Sequence, residues 1–291
     1  YGDHRDLHRV DRRQRQMCIR DRIYNMHNLL KRSLSGLIFV VIFLSAILYS
    51  KESYIVLTSI FSLIAIWEFH KLINFKSFAS YIFFAAAIFL LLKRPDSYAV
   101  IIILGINIIS SVFLIYQLIS KKEISFKDDR SKVGLTVRYL VFSFCFLILI
   151  PFQKENYDVS KYIILNILIL IWVNDSFAYI VGKNFGKHKL FVSVSPKKTI
   201  EGFIGGLVFS ILTGFIISKY ATNYSLLNWV VIAGIVSIIG TIGDLVESKF
   251  KRQANIKDSG NIMPGHGGIL DRLDSLLFAA PFVYLYINFI I

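Results

Sequence analysis

Two pairs of carboxylates recur at matched spacing near the end of the chain. Asp244 and Glu247 are three residues apart in GTIGDLVESKFKR, and Asp271 and Asp274 are three apart in GGILDRLD. On a helix that spacing puts both members of a pair on one face, with Ser248 beside the first pair. Clustered carboxylates repel one another unless cations lie between them. Oxygen donors that keep some water suit Mg²⁺, which commonly bridges to substrate phosphates. A salt-bridged helix end, with Asp271 or Asp274 against Arg272 or Lys251, explains one pair but hardly two. A fifth acid, Asp175, follows Asn174 in ILIWVNDSFAYIVG, eight residues before Lys183. That places it about 12 Å inside an apolar stretch at ~1.5 Å per residue. An isolated Asp at the centre of a membrane helix costs about 2.5–3.5 kcal/mol, so Asp175 points to a site facing protein or water.

Cations surround these acids. SKFKRQANIKDSGNIMPGHGG supplies Lys251, Arg252 and Lys257, and Gly265, Gly267 and Gly268 flank His266. The histidine suits phosphate binding or loop geometry better than proton transfer. Upstream, GKNFGKHKLFVSVSPKKTIEGFIGG interleaves glycines with Lys183, Lys187, Lys189, Lys197 and Lys198. Ammonium groups supply charge and glycine lets backbone N–H groups approach a phosphate, although no GxxxxGK[ST] loop is present. A basic loop touching anionic lipid headgroups is the competing reading; the polar cluster SPKKTIEG favours a site. His70 and His188 have no comparable setting, and Glu68 reads as a boundary charge. Cys18 and Cys145 make no disulfide framework.

The elements that must hold these residues are membrane helices. The 291 residues are 55% hydrophobic with 25 Phe, and the apolar residues come in blocks. Residues 98–120 and 220–243 contain no charged residue, and about 18 such residues cross a bilayer core. Ten-residue alternating segments are absent, which excludes a β-barrel. Nine segments are predicted, at 34–50, 54–72, 78–92, 98–120, 134–152, 162–181, 203–219, 226–247 and 269–291. Three long linkers, 121–133, 182–202 and 248–268, then fall on the N-terminal side, which collects 18 Lys and Arg against six opposite. The positive-inside rule makes that side cytoplasmic. The expectation is an all-α, polytopic integral membrane protein of about nine transmembrane helices with a cytoplasmic N-terminus. Residues 1–25 are Arg- and Asp-rich without apolar periodicity and read as a non-native or disordered leader; residues 26–291 read as one membrane-embedded domain with its polar site in 172–274.

Residue chemistry alone reaches a metal-dependent enzyme acting on a phosphorylated lipid at the cytoplasmic membrane surface. A transporter or channel for an anionic solute is the rival. The stretch from Ser248 to Asp274 closely resembles the C-terminal motif of the phosphatidate cytidylyltransferases, the CDP-diacylglycerol synthases. In that family the motif runs Ser, an apolar residue, Lys-Arg, a spacer, Lys-Asp, His-Gly-Gly and Asp-Arg-x-Asp. Every polar position is filled, and only Met263 stands where a branched aliphatic residue or Phe is usual. NDSFAYIVGKNFGKHKL and SPKKTIEG resemble the family's upstream blocks. The resemblance implies transfer of CMP from CTP to phosphatidate, giving CDP-diacylglycerol and pyrophosphate. It implies Asp244, Asp271, Asp274 and Asp175 as ligands of Mg²⁺, with a second cation allowed. Lys251, Arg252, Lys257 and Arg272 would meet phosphates, with Asp244, Asp271, Lys251 and Arg272 closest to the chemistry. Ser195, Lys197, Lys198 and Thr199 would line the nucleotide side, and His266, Gly267 and Gly268 would shape the loop beneath the phosphates. The implied setting is a bacterial inner membrane, with lipid and CTP but no nucleic acid as partners and a homodimer allowed. An ether-lipid cytidylyltransferase, a CTP-using lipid kinase and a non-catalytic transporter are the alternatives.

Overall fold

A computed structural model describes residues 31–94, 97–120, 122–125, 128–152, 157–221 and 223–291. Residues 1–25, expected to be a leader, lie outside the described residues. Each predicted apolar segment coincides with helix. In chain order these are α1 (Lys31–Tyr49), α2 (Lys51–Leu72), α3 (Ala79–Lys93) and α4 (Tyr98–Ile119). Next, α5 (Asp129–Thr136) continues through a π turn (Val137–Val141) into α6 (Phe142–Leu149). After α7 (Tyr157–Phe185) come strands β1 (Lys189–Phe191) and β2 (Ser195–Thr199), then α8 (Ile200–Tyr220), α9 (Leu226–Gln253) and α10 (Leu270–Phe289). Among the described residues seven helices are long and apolar enough to cross a membrane; α3, at 15 residues, is shorter. The chain is an all-α polytopic membrane protein. Large apolar side chains such as Leu37, Ile102, Ile109 and Phe215 lie bare on its outer helix faces, a surface that suits lipid and would be a liability in water.

Caps, and not hydropathy, end several helices, which is why they outrun the predicted segments. Ser50 and Ser53 form a capping box at the start of α2, and Asp128 and Ser131 form another at α5. The Thr199 hydroxyl accepts from Gly202 N at 3.1 Å and so opens α8. The α9 helix runs six residues past its predicted end, through the charged turn that holds Lys251 and Arg252. The 182–202 linker, expected to be a loop, contains the antiparallel β1–β2 hairpin. Short strands edged with lysine carry too little apolar periodicity to be read from sequence.

The α5–α6 helix lies at the centre, with Phe144 to Ile148 fully buried. Its π turn frees backbone carbonyls, and Asn107 of α4 donates to Arg138 O at 2.8 Å. Around it α7 packs on α8, and α8 and α10 pack on α9. Small residues permit the close α7–α8 approach. A Cβ at Gly206 would stand 2.7 Å from both Asn174 O and Asn174 Oδ1. Gly206→Leu is therefore expected to cost about 1–3 kcal/mol of stability by overpacking. Thermal unfolding in detergent measures it, and an unchanged midpoint would contradict this packing.

Candidate active site

The predicted residues fall into two groups joined by α9 and α10. The first surrounds a cavity of about 450 Å³ lined by Asp175, Lys183, Lys197, Lys198, Thr199 and Asp244, among others. Asn174 also borders it and ties α7 to α9, accepting from Ser237 Oγ at 2.5 Å. Asp175, the next residue, lines the cavity beside it. Lys198 of β2 forms an ion pair with Asp244 of α9, and Ser248 Oγ donates to the other Asp244 oxygen at 3.2 Å. Asp175 lies within Coulombic reach of Asp244, Lys198 and Arg272. The ammonium of Lys198 thus occupies positive ground between carboxylates from two helices. The hairpin delivers it there: burial deepens toward the end of β2, with Lys197 exposed, Lys198 half-buried and Thr199 buried.

The second group centres on Asp271. Its Oδ1 accepts from Lys251 Nζ at 2.7 Å; its Oδ2 accepts from Ser259 N and Ser259 Oγ, both at 2.9 Å, and from Gly268 N at 2.7 Å. Lys251 also pairs with Glu247 at 2.6 Å. Asp271 was expected to share a metal with Asp244. In the structure its oxygens accept from a buried lysine and from both ends of the glycine loop. The Lys251–Asp271 contact is the ion pair named by the salt-bridged alternative. Asp274 adjoins that arrangement, beside Glu247 and within Coulombic reach of Lys251, and is also within Coulombic reach of Asp244. Arg272 is exposed between the groups and acts electrostatically on both Asp175 and His266.

Several basic residues stand elsewhere than expected. Arg252 Nε donates to Val194 O at 3.3 Å and its NH1 to Ile256 O at 3.1 Å, so it braces the hairpin turn. Lys257 is exposed on the far side of the glycine loop. Ser195 begins β2 opposite Phe191 and does not line the cavity. His266 Nδ1 is 2.8 Å from Ser35 Oγ of α1. Burial, Arg272 and Arg32 lower its imidazole below the ordinary histidine range. Its contact with Ser35 anchors the glycine loop to α1. Gly267 has φ of +87°, which lets its neighbour Gly268 present its N–H to Asp271.

Two buried residues beside these groups stand differently from what the sequence suggests. Tyr139, brought inward by the π turn, is buried within Coulombic reach of Glu247, Asp274 and Asp244. Glu68, expected to be a boundary charge, is fully buried and bonded to the start of α10.

Among the described residues no three His, Cys, Asp or Glu side chains form a ready metal cage. Mg²⁺ does not require one: it usually takes one or two carboxylates plus substrate phosphates and retained water. Asp175 and Asp244, all-oxygen donors on facing helices with a cation already between them, fit that requirement.

Residues 30–290 match the model of the Cytidylyltransferase family. The phosphatidate cytidylyltransferase of Staphylococcus haemolyticus (strain JCSC1435) is 36% identical over 256 residues, covering 86% of this chain and 95% of that protein. The phosphatidate cytidylyltransferases of Staphylococcus epidermidis (strain ATCC 12228) and Staphylococcus aureus (strain COL) are 37% and 35% identical over the same shares. Similarity therefore extends through the apolar helices as well as the polar end, and the chain belongs to the Cytidylyltransferase family.

Proposed function

We infer that the chain transfers CMP from CTP to phosphatidate, forming CDP-diacylglycerol and pyrophosphate. The observation that carries this reading is the meeting, around one cavity, of carboxylates from α7 and α9 with the lysines of β2. Lys197 and Lys198 would take the CTP phosphates, and Arg272 would meet the lipid phosphate at the loop edge. A phosphatidate oxygen attacks the α-phosphorus of CTP, the bond from that phosphorus to the bridging oxygen breaks, and pyrophosphate leaves with the electron pair. The nucleophile is already anionic, so the protein needs no strong general base. It contributes alignment and charge neutralisation. Asp244 and Asp175, with Asp274 nearby, would hold Mg²⁺, which when bound would offset charge on the leaving pyrophosphate. As substrate phosphate enters, Lys198 exchanges part of its pairing with Asp244 for a phosphate oxygen.

In this reading all nine predicted segments, with α5 and α6 counted as one, span the inner membrane with the N-terminus in the cytoplasm. The 18-to-six distribution of basic residues supports that orientation, and the cavity then opens toward the CTP supply. Membranes containing the protein, given Mg²⁺, phosphatidate and CTP labelled at either the α- or the γ-phosphate, test the reaction. Label from the α-phosphate should enter the lipid extract and the product mass should rise by CMP. Transfer of the γ-label would mean a kinase, and no CTP consumption would favour transport.

A further inference from the structure

We infer that Glu68, on α2, is a positioning residue for this reaction, holding the first turn of α10 and the closing end of the glycine loop. Its Oε1 accepts from Ile269 N at 3.1 Å and its Oε2 from Leu270 N at 2.9 Å. Ser259 Oγ stands between two carboxylates, 3.4 Å from Glu68 Oε2 and 2.9 Å from Asp271 Oδ2. Glu68 is fully buried, and among the described residues no cation pairs with it. A buried carboxylate without a cation is costly unless hydrogen bonds and dipoles compensate. The free amides at the start of a helix do so, through direct bonds and the positive end of the helix dipole.

The dependence is mutual. Ile269 occupies the N-cap position of α10 and makes no side-chain cap bond. The capping carboxylate comes instead from a helix some 200 residues earlier in the chain, as the 201- and 202-residue separations of these two bonds show. Gly260 and Gly268, one at each end of the loop, both lie so close that an added Cβ would overlap the Glu68 carboxylate. Glu68 from one side and Asp271 from the other thereby staple Ser259 to Gly268–Leu270, and the loop between them carries His266. The turn that Glu68 caps also bears Asp271 and Arg272, and Asp274 opens the next turn. A small rotation there would move Arg272 relative to Asp175 and Asp274 relative to Asp244. Misplacement by about 1 Å is enough to cost roughly 10²-fold in rate.

The kinetic part rests on the cytidylyl-transfer reading; the anchoring part does not. Purified Glu68→Gln tests both, because an amide keeps the size but cannot accept hydrogen bonds on both arms. Its kcat per folded enzyme should fall roughly 10- to 100-fold, with KM for CTP little changed, and the Ile269 and Leu270 amides should exchange hydrogen faster. Gly260→Ala, which presses on the same carboxylate while leaving its charge, should lower kcat in the same direction and serves if Glu68→Gln does not fold. A purely architectural Glu68 would lower the thermal midpoint and leave kcat of the folded fraction at the wild-type value; that result, or unchanged amide exchange, overturns the assignment. Should the wild type itself transfer no CMP, the function proposed above falls, and the exchange measurement alone decides the anchor.

Discussion

Asp244→Asn is expected to lower CMP transfer by at least about 10²-fold while the protein still inserts and folds. The loss follows from the position of Asp244 as the carboxylate that meets both the β2 lysine and the α7 acid. Removing one preorganised electrostatic group from an active site typically costs about 10²–10³ in turnover. Here two effects add. The amide is a poor ligand for a divalent cation, and Lys198 loses the partner that orients it toward incoming phosphate. Asp244 is half-buried at the cavity edge, so folding should suffer little. The check is kcat at saturating Mg²⁺ and CTP, beside thermal unfolding of the same preparation. Near-normal turnover would remove Asp244 from the metal assignment.

Asp271→Asn should also abolish turnover, but by another route and with a visible cost in stability. Asp271 accepts from Lys251, Ser259 and Gly268, and the Lys251 ammonium is buried between it and Glu247. Removing one partner of a buried ion pair costs about 3–5 kcal/mol, and an Asn amide presents one acceptor where the carboxylate presented two. The loop ends should loosen and the thermal midpoint should drop together with activity. If Asp271→Asn instead melts like wild type and loses only its response to Mg²⁺, Asp271 is a metal ligand after all. The two aspartate variants therefore separate chemistry at the cavity from organisation of the loop, which activity alone cannot do.

Much of the scaffold was legible because membrane helices advertise themselves: long uncharged runs place α4 and α9, and the carboxylate pairs mark the ends of α9 and the start of α10. Which carboxylate meets which cation was not legible. Helical spacing puts Asp244 and Glu247 on one face, yet Asp244 turns to the hairpin and Glu247 to Lys251. That division depends on where β2 and α10 approach α9, and no local pattern encodes it. Glu68 misled for a similar reason. Lying three residues before Lys71 near a helix end, it resembled an ordinary surface charge. The available signal was negative: GGILDR offers no Ser, Thr, Asp or Asn immediately before α10, so its first amides needed a partner from elsewhere.

The last turn of α9 has a consequence for how this protein can change over evolution. Lys251 points inward to the carboxylates and Arg252, the very next residue, points outward to the hairpin. Neighbours on a helix are about 100° apart, since a turn takes ~3.6 residues. Those two side chains therefore behave as a phase setting, and Asp244 two turns earlier shares it. Gaining or losing one residue between Asp244 and Lys251 would rotate that turn out of phase and misdirect both cations at once. The loop that follows can change length at its exposed tip, whereas the helix before it is fixed to the residue.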